Sequence, residues 1–445
     1  MSNAMVWAED HLTVLAGRLD GNRYLTAVKN SFIGAMSLLI IGSFFILLAY
    51  LPIGGYTDFM AGTFGSDWQS FFTIPYNVTM GAMTLWVVIG IANSLSESYK
   101  LDRMACILAA LVSFLVLTPT EVLVGSGGTG LPLANLSANG LFLGMIVAVA
   151  AVEILRFVDH RGWTIKMPAS VPSNVAKSFS SLIPIAVLLV LFNVVRMLFT
   201  VTEYHDAQTF IFALLQSPLT ALGATLPATL LASFVESALW IFGIHGGNIV
   251  GGIMTPIWLS LTSENATALA AGHTLPNIVD YQFYMNFVKV GGSGATFGLV
   301  LLLVFLAKSK QFRTIGKLAI GPEIFTINEP IIFGIPVVLN PILIIPFVLT
   351  PLVLCVVAWV SMATGIVPLT NGVNIPWTTP PIISGFLVSG WQGATLNVVQ
   401  IVISALIYFP FFKVADRIAL GKELAAEAEI TAEASLGKPT QVAAA

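Results

Sequence analysis

The sequence predicts an all-α polytopic membrane protein, and three observations carry that prediction. The chain is 56% hydrophobic and only 9% charged, whereas a soluble domain carries about 25% charged residues. Apolar runs of span length recur along its 445 residues, and the mean hydropathy is +0.89. Lys and Arg cluster between alternate runs rather than between all of them. No soluble fold of this length could bury so much apolar surface. The net charge of −3 is too small to point to nucleic acid.

A helical span needs about 20 predominantly apolar residues. Clear candidates are 31–51, 73–94, 104–124, 138–157, 180–201, 284–307, 336–361 and 393–412. The region 208–262 is apolar but interrupted by Pro218, Pro227, Pro256 and glycines. It has room for a full span, a re-entrant hairpin and a further crossing. The region 318–392 is interrupted likewise, and the whole chain reads as about ten crossings. The polar residues before the first span hold no cleavable signal, so that span itself would direct insertion. The polar connection 158–179 contains Trp163, Pro168 and Pro172 and suits a membrane surface. From Lys422 the chain is an Ala/Glu-rich, solvated tail.

Arg18, Arg23 and Lys29 precede the first span, and Lys100 and Arg103 follow the second. Arg156, Arg161, Lys166 and Lys177 follow the fourth. Lys308, Lys310, Arg313 and Lys317 form the next cluster, and Lys413, Arg417 and Lys422 the last. Residues 51–72 and 104–155 hold no basic residue. This positive-inside pattern places both termini in the cytoplasm. It also requires an even number of crossings between Lys177 and Lys308, and again between Lys317 and Lys413. The second gap leaves room for a re-entrant hairpin besides two full spans.

That hairpin would hold Gly321 to Gly334, Gly-Pro-Glu-Ile-Phe-Thr-Ile-Asn-Glu-Pro-Ile-Ile-Phe-Gly. Its carboxylates, Glu323 and Glu329, are too costly to face lipid, since a charge at mid-bilayer costs roughly 2.5–3.5 kcal/mol on insertion scales. A cavity inside the protein suits them better. Pro330 favours a first helical turn with Glu329 at its entrance. Asn328-Glu329 therefore reads either as a helix-start carboxylate or as a group receiving ligand hydroxyls or a proton.

Four other places bear on chemistry. In Trp240-Ile-Phe-Gly-Ile-His-Gly-Gly-Asn, His245 among glycines permits close approach of backbone and ligand, or is a core His bonded to a carbonyl. Glu236 lies on the preceding apolar run, as a ligand group or as half of a structural ion pair. Lys289 before Gly291-Gly-Ser-Gly reads as a hydroxyl or phosphate ligand, or as a side chain that snorkels or pairs with Asp280 or another carboxylate. The glycines read as a close-packed or bent helix start, and the order is wrong for a phosphate-binding Walker loop. Asn139 and Gly140, in the Gly-rich stretch 123–140, form a flexible loop or fold inward onto a ligand. Trp377 is a loop aromatic or a platform for a sugar ring. Cys106 and Cys355 lie in apolar runs and read as packing residues. No metal site, cofactor or catalytic triad is read from the sequence.

Leu25 to Phe45, Trp240 to Asn248, Gly291 to Thr296 and Gly321 to Gly334, in this order and spacing, resemble enzyme IIC of the bacterial phosphoenolpyruvate-dependent sugar phosphotransferase system. The similar branch is the lactose/cellobiose/N,N′-diacetylchitobiose group, above all its diacetylchitobiose transporters. The resemblance implies a ten-span homodimer in the bacterial cytoplasmic membrane. Residues 1–205 would hold spans one to five and the dimer interface. Residues 206–420 would hold spans six to ten and two re-entrant hairpins around the sugar, with 421–445 a cytoplasmic tail. It implies import of a β-linked disaccharide, with its 6-hydroxyl phosphorylated by a phosphocysteine of enzyme IIB, itself charged by enzyme IIA. The phosphocysteine would stand on another chain, since neither cysteine here lies in a soluble domain. By motif match, Glu329 and His245 would meet the 6-hydroxyl as catalytic and substrate-binding residues. Asn328, Asn139, Gly140, Glu236 and Trp377 would be further substrate-binding residues. A proton-coupled secondary sugar transporter working through Glu329 is the alternative.

Overall fold

The computed structural model describes Arg18 and residues 21–51, 55–122, 128–165, 167–168, 171, 179–335, 337, 340 and 342–436. The N-terminal segment 1–17, part of the polar stretch that reads as holding no cleavable signal, lies outside the described residues. So do Lys166, Lys177, most of 166–178 and the end of the tail.

Among the described residues the first long helix is α1 (Arg23–Ala49), capped by Asn22, whose Oδ1 accepts from the N–H groups of Tyr24 and Leu25 at 3.0 and 3.2 Å. There follow α2 (Tyr56–Phe64), α3 (Ser70–Thr79), α4 (Met83–Tyr99), α5 (Arg103–Leu117), α6 (Leu141–His160) and α7 (Leu182–Thr200). A two-residue antiparallel pairing, Glu121–Val122 with Thr129–Gly130, lies between α5 and α6. Arg196, inside apolar α7, donates to the carbonyls of Val116 and Thr118 at 2.6 and 3.0 Å. It thus caps the end of α5, so an arginine in an apolar run is satisfied by backbone.

The second half is more broken. α8 (Ala207–Ile211), a π turn and α9 (Ser217–Gly223) lead to α10 (Leu226–Ile241), with a bend of 77° between the two parts. α11 (Gly246–Ala270) follows, then α12 (Phe297–Leu306), α13 (Lys310–Ile324), α14 (Glu329–Gly334), α15 (Ile344–Ala363) and α16 (Ile383–Leu436). α16 is broken at Ser389 and Gly390, where φ is −144° and 69°. Among the described residues six helices are long and apolar enough to cross a membrane, or seven with the bent pair. About ten crossings were expected. The shortfall lies where the chain bends or shortens, as in the 15-residue α5 and the 10-residue α12.

The run 284–307, expected as one continuous span, is not one. A π turn over Tyr284–Val288 runs into Gly291-Gly292-Ser293-Gly294, and only from Phe297 does α12 begin. Gly291, Gly292 and Gly294 have φ of 83°, 88° and 79°, the left-handed region that other residues rarely enter. The turn does form a close-packed helix start: a Cβ on Gly294 would lie 2.2 Å from the Phe347 ring. Unwinding frees carbonyls that a bilayer would leave unsatisfied. One face of α16 supplies the donors. Asn397, Gln400, Ser404 and Tyr408 donate to the carbonyls of Asn286, Phe287, Ala295 and Gly294 at 2.9, 2.6, 2.7 and 2.7 Å.

α13 and α14 form an antiparallel hairpin, since Gly334 at the end of α14 packs against Ile315 early in α13. Thr326, with φ of 60°, sits in its tip. Glu329 therefore stands beside a reversal of the chain, for which the sequence left room.

Candidate functional site

α10 ends in a Schellman closure. The N–H of Ile244 reaches the carbonyl of Leu239 at 3.1 Å and that of Gly243 reaches Trp240 at 3.0 Å, with Gly243 at φ 73°. The chain turns at once into α11. A Cβ on Gly246 would lie 2.0 Å from the carbonyl of Glu236, so only glycine lets this turn press onto α10. The result fixes His245 at the N-cap of α11, where its Nδ1 accepts from the Asn248 N–H at 3.2 Å. Nδ1 being an acceptor, a neutral imidazole carries its proton on Nε2.

His245 Nε2 points to Glu329 Oε1 at 3.9 Å, and both side chains are about half exposed, at 45% and 46%. The gap is too wide for a hydrogen bond. It is narrow enough for one hydroxyl oxygen, set to the side, to reach both groups at about 2.8 Å. The Trp240 ring backs the imidazole, its centroid 4.5 Å away.

The two residues open on a cavity of about 490 Å³. Glu236, Asn328 and Trp377 also line it. Glu236 is buried and accepts from Lys289 Nζ at 2.6 Å, Ser293 Oγ at 2.7 Å and Tyr284 OH at 2.9 Å. The reading of Lys289 as pairing with a carboxylate is thus the one found, and the carboxylate is Glu236 rather than Asp280. Asn328 spends its amide hydrogens on the Ser293 carbonyl, at 2.6 Å, and Thr296 Oγ1, at 2.9 Å. Trp377 is 41% exposed, and its carbonyl accepts from Thr326 Oγ1 at 2.7 Å, tying its loop to the hairpin tip.

Asn139 and Gly140 are not brought to this cavity. They form a short 3-10 turn before α6, and a Cβ on Gly140 would lie 2.1 Å from the Asn135 carbonyl. The Gln216 amide donates to the neighbouring Ala138 carbonyl at 2.8 Å. This segment is folded inward, but onto protein.

Sequence reasoning did not foresee the wall that α1 contributes through Lys29, Phe32, Ile33 and Met36. Those residues read as an ordinary first span and its flanking charge. α1 and α11 run parallel: Tyr50 OH, at the end of α1, donates to the carbonyl of Ala270, the last residue of α11, at 2.9 Å. At their other ends both helices border the cavity. The cavity therefore lies toward the end of the molecule where α1 begins.

Against known protein families, residues 29–351 match the phosphotransferase system EIIC family. The chain belongs to that family. The lichenan permease IIC component of Bacillus subtilis (strain 168) is 41% identical over 425 residues, 93% of this chain and 94% of that protein. The cellobiose-specific EIIC component of Geobacillus stearothermophilus is 40% identical over 421 residues, 92% of this chain and 93% of that one. Among solved structures, the transporter ChbC, the IIC component of an N,N'-diacetylchitobiose-specific phosphotransferase system, superposes with a TM-score of 0.89. It is 39% identical, with 94% of this chain and 99% of that one covered. This EIIC chain is thus a transmembrane sugar transporter of the phosphotransferase system, and the cavity between His245, Glu329 and α1 is its candidate sugar site.

Proposed function

We propose that this chain imports a β-linked disaccharide of the N,N′-diacetylchitobiose or cellobiose type, and that the sugar's 6-hydroxyl is phosphorylated in the cavity by the phosphocysteine of enzyme IIB, recharged by enzyme IIA. The observation that carries this is the meeting of His245 Nε2 and Glu329 Oε1, 3.9 Å apart at the cavity. The arrangement suits a single hydroxyl. The Nε2–H donates to the hydroxyl oxygen, and the Glu329 carboxylate accepts its proton. The freed oxygen forms a bond to phosphorus while the sulfur–phosphorus bond breaks and the cysteine thiolate leaves. Phosphoryl transfer asks mainly for positioning and charge handling, which these two groups supply. Trp377 offers a ring face to a pyranose, and Glu236 reaches the cavity already paired. A homodimer through residues 1–205, ten crossings in the cytoplasmic membrane and cytoplasmic termini complete the proposal.

The test uses membrane vesicles with phosphorylated enzyme IIB and radiolabelled cellobiose, lactose and diacetylchitobiose. Glu329→Gln keeps sugar affinity within a few fold, and sugar phosphate formation falls by about 10²-fold. Undiminished phosphorylation by that variant would remove the base role. If wild-type vesicles without enzyme IIB accumulate unmodified sugar under a proton gradient, the chain is a secondary transporter instead.

A further inference from the structure

The same hairpin carries a second carboxyl group that the proposed transfer does not use. Glu323 is 0% exposed. Among the described residues no Lys or Arg pairs with it, and its Oε2 has no hydrogen-bond partner. Its Oε1 lies 2.8 Å from Thr296 Oγ1. That hydroxyl has two other neighbours, the Gly291 carbonyl at 2.9 Å and the Asn328 Nδ2 at 2.9 Å.

A proton count decides the state of this cluster. The Gly291 carbonyl can only accept, and the Asn328 amide nitrogen can only donate. Thr296 owns one hydroxyl proton. If Glu323 is an anion, the carbonyl and the carboxylate compete for that proton, and an unpaired buried charge keeps one oxygen with no partner. If Glu323 is a neutral acid, both acceptors that meet at the Thr296 hydroxyl are served, and the unpartnered Oε2 is an uncharged carbonyl oxygen instead of half of a buried charge. Glu323 donates to Thr296, Thr296 donates to Gly291, and Asn328 donates to Thr296. Burial without a counter-ion favours the same form.

We propose that Glu323 is held as a neutral carboxylic acid whose proton, through Thr296, sets Asn328 and so positions the adjoining Glu329 carboxylate for the sugar. It is a positioning residue, and its part in sugar handling rests on the function proposed above. Asn328 is the N-cap of α14, and its side chain is pinned by Thr296 and by the Ser293 carbonyl. Ser293 in turn bonds Glu236, so the turn 291–296 joins both buried carboxyls to the site. Among the described residues, the titratable groups that interact electrostatically with Glu323 are Glu329 on α14 and Tyr408 on α16. Lys289, at the start of the turn, is engaged with Glu236. Ionising Glu323 would put a second negative charge beside Glu329 and break the donor order around Asn328.

The experiment compares wild type with Glu323→Gln, Glu323→Leu and Thr296→Val, reconstituted and checked by thermal unfolding. Infrared spectra of the purified protein show a protonated-carboxyl band that Glu323→Gln removes. Wild-type binding of diacetylchitobiose or cellobiose declines as pH rises into the alkaline range, because the neutral form is lost. Glu323→Gln, whose amide still donates to Thr296, binds normally at neutral pH and keeps that binding at alkaline pH. Glu323→Leu and Thr296→Val weaken it by about tenfold at every pH. An unchanged infrared band, or a Gln variant as impaired as the Leu variant, overturns the proposal, since a charge would then be required. Should wild type bind neither sugar, the function proposed above fails, while the infrared comparison still decides the state of Glu323.

Discussion

Lys289 and Glu236 form a pair whose nitrogen and oxygen lie 2.6 Å apart, with side chains 15% and 4% exposed. Removing one partner of such a pair leaves an uncompensated buried charge, whereas removing both charges together is tolerated far better. Lys289→Met is therefore expected to lower stability by roughly 3–5 kcal/mol. The double variant Lys289→Met with Glu236→Gln recovers most of the loss. Thermal unfolding in detergent reads both, and a double variant as unstable as the single one would mean the pair is not the cause. The pair was half legible. Both residues stood out as charges in apolar runs, yet sequence separation hid that the Gly-rich turn folds Lys289 back onto α10. Tyr284 and Ser293, the other donors to Glu236, carried no signal, because a Tyr and a Ser in such runs are ordinary. His245 and Glu329 were legible as candidates, each beside a glycine or proline that forces a turn. Their closeness was not, since it depends on α11 and the hairpin tip meeting across the cavity.

At the scale of elements, hydropathy reads composition and not continuity. The run 284–307 is apolar enough to span, and that alone predicted a helix there. The glycines at 291, 292 and 294 broke it, because left-handed backbone at those positions lets Phe347, Glu323 and Asn328 approach. The compensating face of α16, with Asn397, Gln400, Ser404 and Tyr408 at helical spacing, is visible in the sequence, where it reads as part of the plain span 393–412. Polar groups recurring on one face of an apolar helix mark where it meets unwound backbone. Tyr408→Phe tests this. It deletes the donor to the Gly294 carbonyl, 2.7 Å away in the core, and is expected to cost roughly 1–3 kcal/mol. Gly321→Ala provides the contrast, since a Cβ there meets nothing within 4 Å. Within α13 it is expected to be neutral or to stabilise by roughly 0.5–1 kcal/mol. Equal losses in the two variants, measured by thermal unfolding, would contradict this account of the turn.

At the scale of the whole molecule, the distribution of basic residues and the place of the cavity bear on one another. The guanidinium groups of Arg23, at the start of α1, and Arg156, late in α6, lie 5.1 and 4.2 Å from the ring centre of Tyr99, the last residue of α4. Basic termini of three helices thus gather at one end of the N-terminal half, which is what the positive-inside pattern required of them. Arg196, which lies away from those clusters, is spent on the carbonyls that end α5 and so need not count as a loop charge. The cavity wall on α1 begins at Lys29, six residues after Arg23, or roughly 9 Å along a helix from that basic end. If the basic end is cytoplasmic, the sugar site lies near the side from which a soluble phosphoryl donor would approach. Single cysteines decide the orientation. The native thiols, Cys106 and Cys355, are buried and should react little with a membrane-impermeant maleimide. A cysteine at Thr129, in the exposed pairing between α5 and α6, is expected to label on intact cells. Cysteines at Lys100 and Lys422 are expected to label only after the membrane is opened. Labelling of Lys100→Cys on intact cells would invert the molecule, place the cavity on the outer side, and remove the route by which the donor reaches Glu329.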